Sequence, residues 1–359
     1  MSRGLDDDRV AALLALAEDE VTSGRLPSCQ LALAVDGAVA VRATFGADEA
    51  AVYTTFSVTK GLFAAAVWLL LGQGLEPEQP VAELLPELDG RITVEHLLTH
   101  TAGFPRAPLR PEEGATSEGR RARFATWRLD WEPGSRTEYH PASAHWVLAE
   151  LVEQVSGTDF RRFVRDRVLD PLGLPAMRLG LGAGDVLVEP VVTVGTAVPR
   201  DDVPEVASAA SLMRFNEPVV RAVGVPGAGA VSTADDVALL YQALLHDPKG
   251  LWDPAVLADG TGTVRNAMTD PWIGVPALRT LGLSVAGDDG HGALRQFGKA
   301  TGPRAFGASG VGGQMAWGDP DSGLSFCFLT GGVDADQVAA FVRSTRLSTA
   351  AARCARVSP

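Results

Sequence analysis

Only three lysines, Lys60, Lys249 and Lys299, occur beside 28 arginines in this chain, and one of them stands three residues beyond a serine. Ser57-Val58-Thr59-Lys60 opens a nearly all-apolar stretch, Leu62-Phe63-Ala64-Ala65-Ala66-Val67-Trp68-Leu69-Leu70-Leu71. Positions i and i+3 share a helix face, so the Ser57 hydroxyl and the Lys60 amine can meet. Burial disfavours the charged form of a lysine, and a neutral amine can accept a serine proton and create a nucleophile. Arginine cannot do this, because it keeps its proton in a protein. The N–H groups of a helix start also suit a developing oxyanion. The plainer alternative is a capping serine followed by a solvated lysine, but a helix this apolar offers that lysine no wet face.

Two further segments carry usable chemistry. Pro133-Gly134 makes a turn in Trp131-Glu132-Pro133-Gly134-Ser135-Arg136-Thr137-Glu138-Tyr139, and Tyr139 falls just before a helical pattern that begins near Ala144. A tyrosine there can shuttle protons if a neighbouring cation lowers its pKa, or it can sit half-buried with its hydroxyl on backbone. The glycine-dense Phe306-Gly307-Ala308-Ser309-Gly310-Val311-Gly312-Gly313 enters a terminal strand. Such glycines mark a plain turn or the close approach of backbone to a ligand, and a strand edge facing a bound carbonyl would complete an oxyanion hole. His96 and His100 lie four apart, but no third metal ligand stands at sensible spacing, so an architectural role is the better reading. There is no Gly-x-Ser-x-Gly elbow, phosphate-binding Gly-Lys-Ser/Thr, metalloprotease histidine pair or dinucleotide fingerprint.

These residues need a scaffold, and the patterning outlines one. A helix is expected over Asp8 to Ser23, then strands Gln30 to Val35 and Ala38 to Phe45 joined by Asp36-Gly37, a strong hairpin signal. The apolar stretch predicts a buried helix from Ser57 to Gln73. Helices follow at Ala144 to Val155 and, from a capping-box-like start at Ser232, through Val237 to Leu245. Strand character returns at Thr280 to Val285, Gly313 to Trp317 and Leu324 to Thr330, and a last helix over Asp334 to Ser344 presents Val338, Phe341 and Val342. Proline and glycine cluster in loops at Phe104 to Gly114 and Val223 to Gly229. Strands at both ends with helices between predict an α+β fold: one sheet built from both termini, residues 1–75 plus 271–359, with a mostly helical domain, 76–270, inserted and the active site in the cleft between them.

Composition excludes several classes. At 359 residues with 46% hydrophobic and 21% charged side chains the chain is globular, and a net charge of −13 repels phosphate backbones, so no nucleic-acid partner is expected. Cys29, Cys327 and Cys354 are too few and too scattered for a disulfide framework or a zinc site. The acidic start lacks an apolar leader segment and no apolar run spans a bilayer, so a cytoplasmic protein is expected.

Taken together the motifs resemble the serine β-lactamase and penicillin-binding-protein superfamily, in its class C-like branch that includes family VIII carboxylesterases. Ser57-Val58-Thr59-Lys60 matches its Ser-x-x-Lys. His96-Leu97-Leu98-Thr99-His100-Thr101-Ala102-Gly103-Phe104 is similar to its His-Leu-Leu-Thr-His-Thr-Ser-Gly segment, and Pro133-Gly134 through Tyr139 matches its approach to the catalytic tyrosine. Asn216-Glu217-Pro218 and Gly227 to Leu245 also look like the esterase-like members. The resemblance implies a β-lactamase/transpeptidase-like antiparallel sheet flanked by helices, no cofactor and no metal. It implies that Ser57 attacks a carbonyl, that Lys60 and Tyr139 handle its proton, and that backbone N–H groups of Ser57 and Val311 hold the oxyanion.

The departures bear on substrate. An Asn two positions beyond the family's tyrosine is replaced here by Pro141, and the family's Lys-Thr-Gly falls on Ala308-Ser309-Gly310, the expected substrate-binding edge. With neither Asn nor that lysine, an uncharged small-molecule ester is expected rather than an anionic β-lactam, unless Lys299 or Arg304 supplies the cation. β-Lactamase or D,D-peptidase activity, acyl transfer and a non-catalytic binding protein of the same fold are the alternatives.

Overall fold

The apolar segments at both ends of the chain become the strands of one sheet. The computed structural model describes residues 4–356 apart from 183, 185 and 197–207; residues 1–3 of the acidic start lie outside them. In chain order the strands are β1 (Cys29–Val35), β2 (Ala38–Phe45), β3 (Tyr53–Thr54), β4 (Arg178–Leu179), β5 (Val192–Val194), β6 (Ala230–Ser232), β7 (Ser284–Val285), β8 (Phe306–Ser309), β9 (Met315–Asp319), β10 (Leu324–Thr330) and β11 (Gly332–Asp334). Six of them form an antiparallel sheet in the order β2-β1-β10-β9-β8-β7. The first hairpin is the expected one, with Val35 paired to Ala38 across Asp36-Gly37, and β10 joins the terminal half to the first by pairing Cys29 to Thr330 through Val35 to Leu324.

Period-two alternation sorts β1 onto two cores. Leu31 and Leu33 face the helices Asp7–Thr22 and Gln337–Arg353, while Ala32 and Ala34 face the other side. Small side chains there let the helix Ala234–His246 lie close to β1, β9 and β10. Its buried Gln242 fastens it, accepting from the Gly37 N–H at 2.8 Å and donating to the Ala34 carbonyl at 2.9 Å. Every residue of the helix Thr59–Leu71 is buried, with Trp68 Nε1 donating to the Leu281 carbonyl and Trp252 Nε1 to that of Ala65, each at 2.8 Å.

Several expectations change. Ser57 lies on a 3-10 turn, Phe56–Val58, and the α-helix begins only at Thr59. Of Thr280 to Val285 only β7 is a strand, because Gly282 at φ +107 kinks the chain and Thr280 donates inward to the Gly260 carbonyl. Gly312 and Gly313, at φ +85 and +101, form a turn, so that strand begins at Met315. The helix after β6 is capped by Thr233, which accepts from the Asp236 N–H, while Ser232 stays in β6. The last helix starts after Asp336 and runs to Arg353. Its expected apolar face is turned out, with Val338 67% and Val342 49% exposed; the buried side is Arg343, Ser344, Leu347, Ser348 and Ala351. Polar groups are tolerated there because Arg343 pairs with Asp334 at 3.2 Å and the Ser348 hydroxyl accepts from Trp317 Nε1 at 3.0 Å.

The middle of the chain also holds strands. β6 bridges β3 and β4 in a small antiparallel sheet, and β5 runs parallel to β11. The helix Ala234–His246, placed by sequence in the inserted part, packs on the six-stranded sheet, so packing does not break at residue 270.

A buried ion pair braces the helix that follows Tyr139. Arg120, fully buried on the helix Ser117–Phe124, donates from Nε to Glu150 at 2.7 Å and from Nη1 to the Gly114 carbonyl at 3.0 Å, and also pairs with Glu153. Arg120→Met removes the cation and leaves the fully buried Glu150 charge uncompensated, so chemical denaturation is expected to show a loss of about 3–5 kcal/mol. Adding Glu150→Gln should recover part of it; an unchanged unfolding midpoint in the single variant would refute the bracing role.

Candidate active site

Local strain presents the serine. β3 leads into Thr55, whose N–H and hydroxyl both donate to the Ala230 carbonyl, at 2.9 and 3.1 Å. Thr59 Oγ1 in turn shares a hydrogen bond with Thr55 Oγ1 at 2.9 Å and accepts from the Ala230 N–H at 3.2 Å. Between these clamps Phe56 is held at φ +44, a conformation costly for a bulky side chain. Its ring is pinned edge-on by Phe215 at 5.3 Å and packs with Val191, Leu212 and Val333. The sharp turn leaves the next residue, Ser57, only partly buried.

Lys60 reaches back to that serine. Its Nζ donates to Ser57 Oγ at 3.0 Å, to the Pro141 carbonyl at 2.9 Å and to the Gly227 carbonyl at 2.7 Å. The side chain is 3% exposed, and among the described residues no carboxylate pairs with it. Burial pushes its pKa down; attraction to Tyr139 opposes that, and the like charge of Arg279 adds to it. A neutral Lys60 can then accept the Ser57 proton across the contact it already makes.

Tyr139 completes the constellation, its hydroxyl donating to Ser57 Oγ at 2.8 Å. Its segment is stitched to the histidine segment: Gly134 N–H donates to the Thr101 carbonyl at 2.9 Å, and His140 N–H to His100 Nδ1 at 3.3 Å. Gly134 sits at φ +80 where an added Cβ would meet His96 Nε2 at 2.9 Å. His96 serves as a cap, accepting from the Thr93 N–H at Nδ1 while its own N–H donates to Thr93 Oγ1, each at 3.2 Å. The buried His100 ring lies 4.7 Å from that of Tyr139. Burial holds His100 well below its ordinary pKa and brings His140 down to about 3, so both are neutral packing groups. No group of metal-ligand character occurs among the described residues.

The third segment arrives as β8. It pairs with β9 along Phe306 to Ser309, but with β7 only at Phe306 and Gly307. Past β7, the half-buried Ala308 and Ser309 form an edge leading toward the serine. Gly310 comes so close that an added Cβ would meet the Ser57 amide nitrogen at 3.1 Å and the Thr55 carbonyl at 3.0 Å. Val311 follows on the next turn.

Neither expected replacement cation is here. Lys299 is exposed, its N–H donating to Thr349 Oγ1 at 2.9 Å against the C-terminal helix, and exposed Arg304 pairs with Asp321. Arg279 is the cation that sequence reasoning missed: its guanidinium lies 5.4 Å from the Tyr139 ring centre. It donates to Ser284 Oγ at 3.2 Å and faces buried Asp270 at 3.7 Å, while its Nε has no partner among the described residues. Trp272 and the Gly227 carbonyl were missed as well. Asn216 was noticed for its resemblance, and it proves to be a clamp on the Val191 backbone, with both contacts at 2.8 Å.

A serine on a 3-10 turn, a lysine in the first turn of the helix behind it, a tyrosine from the irregular segment before the helix Ser143–Ser156 and the open edge of β8 beside them define a β-lactamase/transpeptidase-like serine hydrolase fold. The chain belongs to the β-lactamase family, whose model, Beta-lactamase, matches residues 10–351. It is 25% identical over 308 residues to the esterase/beta-lactamase LipL of Mycobacterium tuberculosis, covering 76% of this chain and 68% of LipL. It is 31% identical over 247 residues to the esterase EstB of Burkholderia gladioli, covering 59% of this chain and 61% of EstB. A family VIII carboxylesterase shares the fold with a TM-score of 0.79 at 22% identity, over 99% of this chain and 100% of that one.

Proposed function

We propose that this protein is a serine carboxylesterase acting on small uncharged esters through an acyl-enzyme on Ser57. The observation that carries this reading is Ser57 Oγ flanked by the Lys60 amine at 3.0 Å and the Tyr139 hydroxyl at 2.8 Å. Lys60, buried with no carboxylate partner among the described residues, takes the serine proton, and Tyr139 hands a proton to the departing alcohol. The amides of Ser57 and Val311 receive the oxyanion, and Ala308, Ser309 and Gly310 line the substrate on the β8 edge. Water then releases the acid. The site takes Ser57, Lys60 and the β8 edge from the sheet part, 1–75 with 271–359, and Tyr139 from the part inserted at 76–270, which is the expected cleft between them, although the helix Ala234–His246 of the inserted part packs on the sheet itself. No helix among the described residues is long and apolar enough to cross a membrane, and three free buried cysteines suit the cytoplasm.

The choice of an uncharged ester follows from the alanine that stands at position 308 where the family's Lys-Thr-Gly has its lysine. Ala308 offers no charge, and Arg279 is already turned toward Asp270, Ser284 and the Tyr139 ring. A substrate carboxylate left unpaired in a partly dry cleft loses several kcal/mol. The names of EstB and LipL support an esterase, although LipL's also admits β-lactam chemistry. Wild type is expected to hydrolyse diethyl succinate with a higher kcat/KM than its monoethyl carboxylate, and to turn over nitrocefin poorly. Ala308→Lys should favour the carboxylate by about 1–3 kcal/mol relative to the neutral ester. A wild type that prefers the carboxylate, or cleaves nitrocefin as readily as esters, would give the site to peptidase or β-lactamase chemistry.

A further inference from the structure

Beside Tyr139 stands a large apolar surface left open by the described residues. Trp272 is 49% exposed, and its indole meets the Tyr139 ring edge-on with centres 5.7 Å apart. The loop that carries it is tightly built. Trp272 N–H donates to Asp270 Oδ1 at 2.9 Å, Gly274 N–H to the Asp270 carbonyl at 2.8 Å, and Asp270 N–H to the Val275 carbonyl at 2.9 Å. Asp270 is itself buried and faces Arg279. At the loop's base, buried Asn266 donates from Nδ2 to the Thr99 carbonyl and to Thr137 Oγ1, each at 2.9 Å, which ties it to the segment leading into Tyr139. The backbone that carries the indole is therefore held in place, and the exposed face of the ring costs hydration free energy until something apolar lies on it.

We infer that Trp272 is a specificity-determining wall for the leaving group, selecting esters of aromatic alcohols; this deepens the esterase reading and rests on it. The side of the site is set by chemistry. When the Ser57 Oγ–acyl bond forms and the acyl–oxygen bond to the alcohol breaks, the serine proton must reach the departing oxygen. Tyr139 is the group placed to deliver it. The departing oxygen consequently sits at the Tyr139 hydroxyl, and on this reading the carbon skeleton behind it passes Trp272, whose ring touches that of Tyr139. On this reading the acyl portion stays with the oxyanion amides of Ser57 and Val311, away from Trp272. An aromatic ring rather than a charged group suits the wall, because both flanking charges, Asp270 and Arg279, already face each other.

The test compares three esters: benzyl acetate, ethyl acetate and ethyl phenylacetate, which carries its ring on the acyl side. Wild type is expected to prefer benzyl over ethyl acetate in kcat/KM. Trp272→Ala should lower that ratio about three- to tenfold, the size of an aromatic contact, and Trp272→Phe should keep most of it. The ratio of ethyl phenylacetate to ethyl acetate should stay unchanged in both variants. A wild type indifferent to the benzyl group overturns the inference without any variant, as does a Trp272→Ala effect on the acyl-side ratio alone. Failure of the underlying reading looks different: no Ser57-dependent hydrolysis of any of the three esters.

Discussion

Ser57→Ala is expected to reduce kcat/KM for a short neutral ester by at least about a thousandfold, the usual scale for removing a nucleophile, with far-UV circular dichroism and thermal unfolding close to wild type. The loss should be in chemistry because the hydroxyl removed is the one that Lys60 and Tyr139 both address. Its neighbour cannot substitute: Thr59 Oγ1 is occupied by Thr55 and by the Ala230 N–H on the β6 side. The fold should survive because Ser57 is only partly buried and its turn is held by Thr55, Thr59 and the Phe56 packing. A fluorophosphonate probe gives the second readout, labelling wild type and not the variant. Ester turnover above about a thousandth of wild type would remove Ser57 from the mechanism.

The part of this site that could be read in the sequence is the part written at short range. Ser57 and Lys60 meet because three residues are nearly one helical turn, and the apolar run after them announced that the lysine would be buried. Tyr139 was legible through the turn before it and the helical pattern after it. The partners of Lys60 were not. Gly227 lies 167 residues away in sequence, and a carbonyl oxygen leaves no signature in residue types. Its side is tight as well, since an added Cβ would crowd His145 Cβ at 3.1 Å and Lys60 Nζ at 3.2 Å. Arg279 and Trp272 were hidden for a related reason: their loop is fixed by Asn266 and Asp270 rather than by any repeat of apolar positions.

The fold shows the same division. β1, β2 and β10 carry continuous or alternating apolar patterns and were found to within a residue. β8 has two small residues and a glycine in its four positions, and it is a strand because β9 pairs with it over its whole length. In the C-terminal helix Val338, Phe341 and Val342 suggested the inner face. Burial instead follows Leu347 and Ala351, which share a core with Leu13 and Ala17 of the helix Asp7–Thr22 and with Leu31 and Leu33 of β1. Arg343 is brought inside with them by Asp334 and Glu20. Long-range ion pairing overrode local periodicity there.

Lys60→Arg is expected to be nearly as inactive as Lys60→Ala, a loss of about a thousandfold in kcat/KM, although it keeps the positive charge. The guanidinium cannot give up its proton to become a base, and the three acceptors around Nζ are spaced for a compact amine. If the arginine variant works well, Lys60 is an electrostatic prop and the proton route is wrong. The pH profile tests the same assignment from outside the residue. The base must be neutral to act, so kcat/KM rises with pH through the pKa of Lys60 in the free enzyme. Burial and the nearby Arg279 charge both depress that pKa. Arg279→Gln removes the like charge, so the pKa rises and the acid limb of the profile should move to higher pH, with activity recovering on the alkaline side. Arg279→Lys keeps the charge and should shift the limb less. A limb that stays in place in Arg279→Gln, or moves to lower pH, would mean that the titrating group is not Lys60.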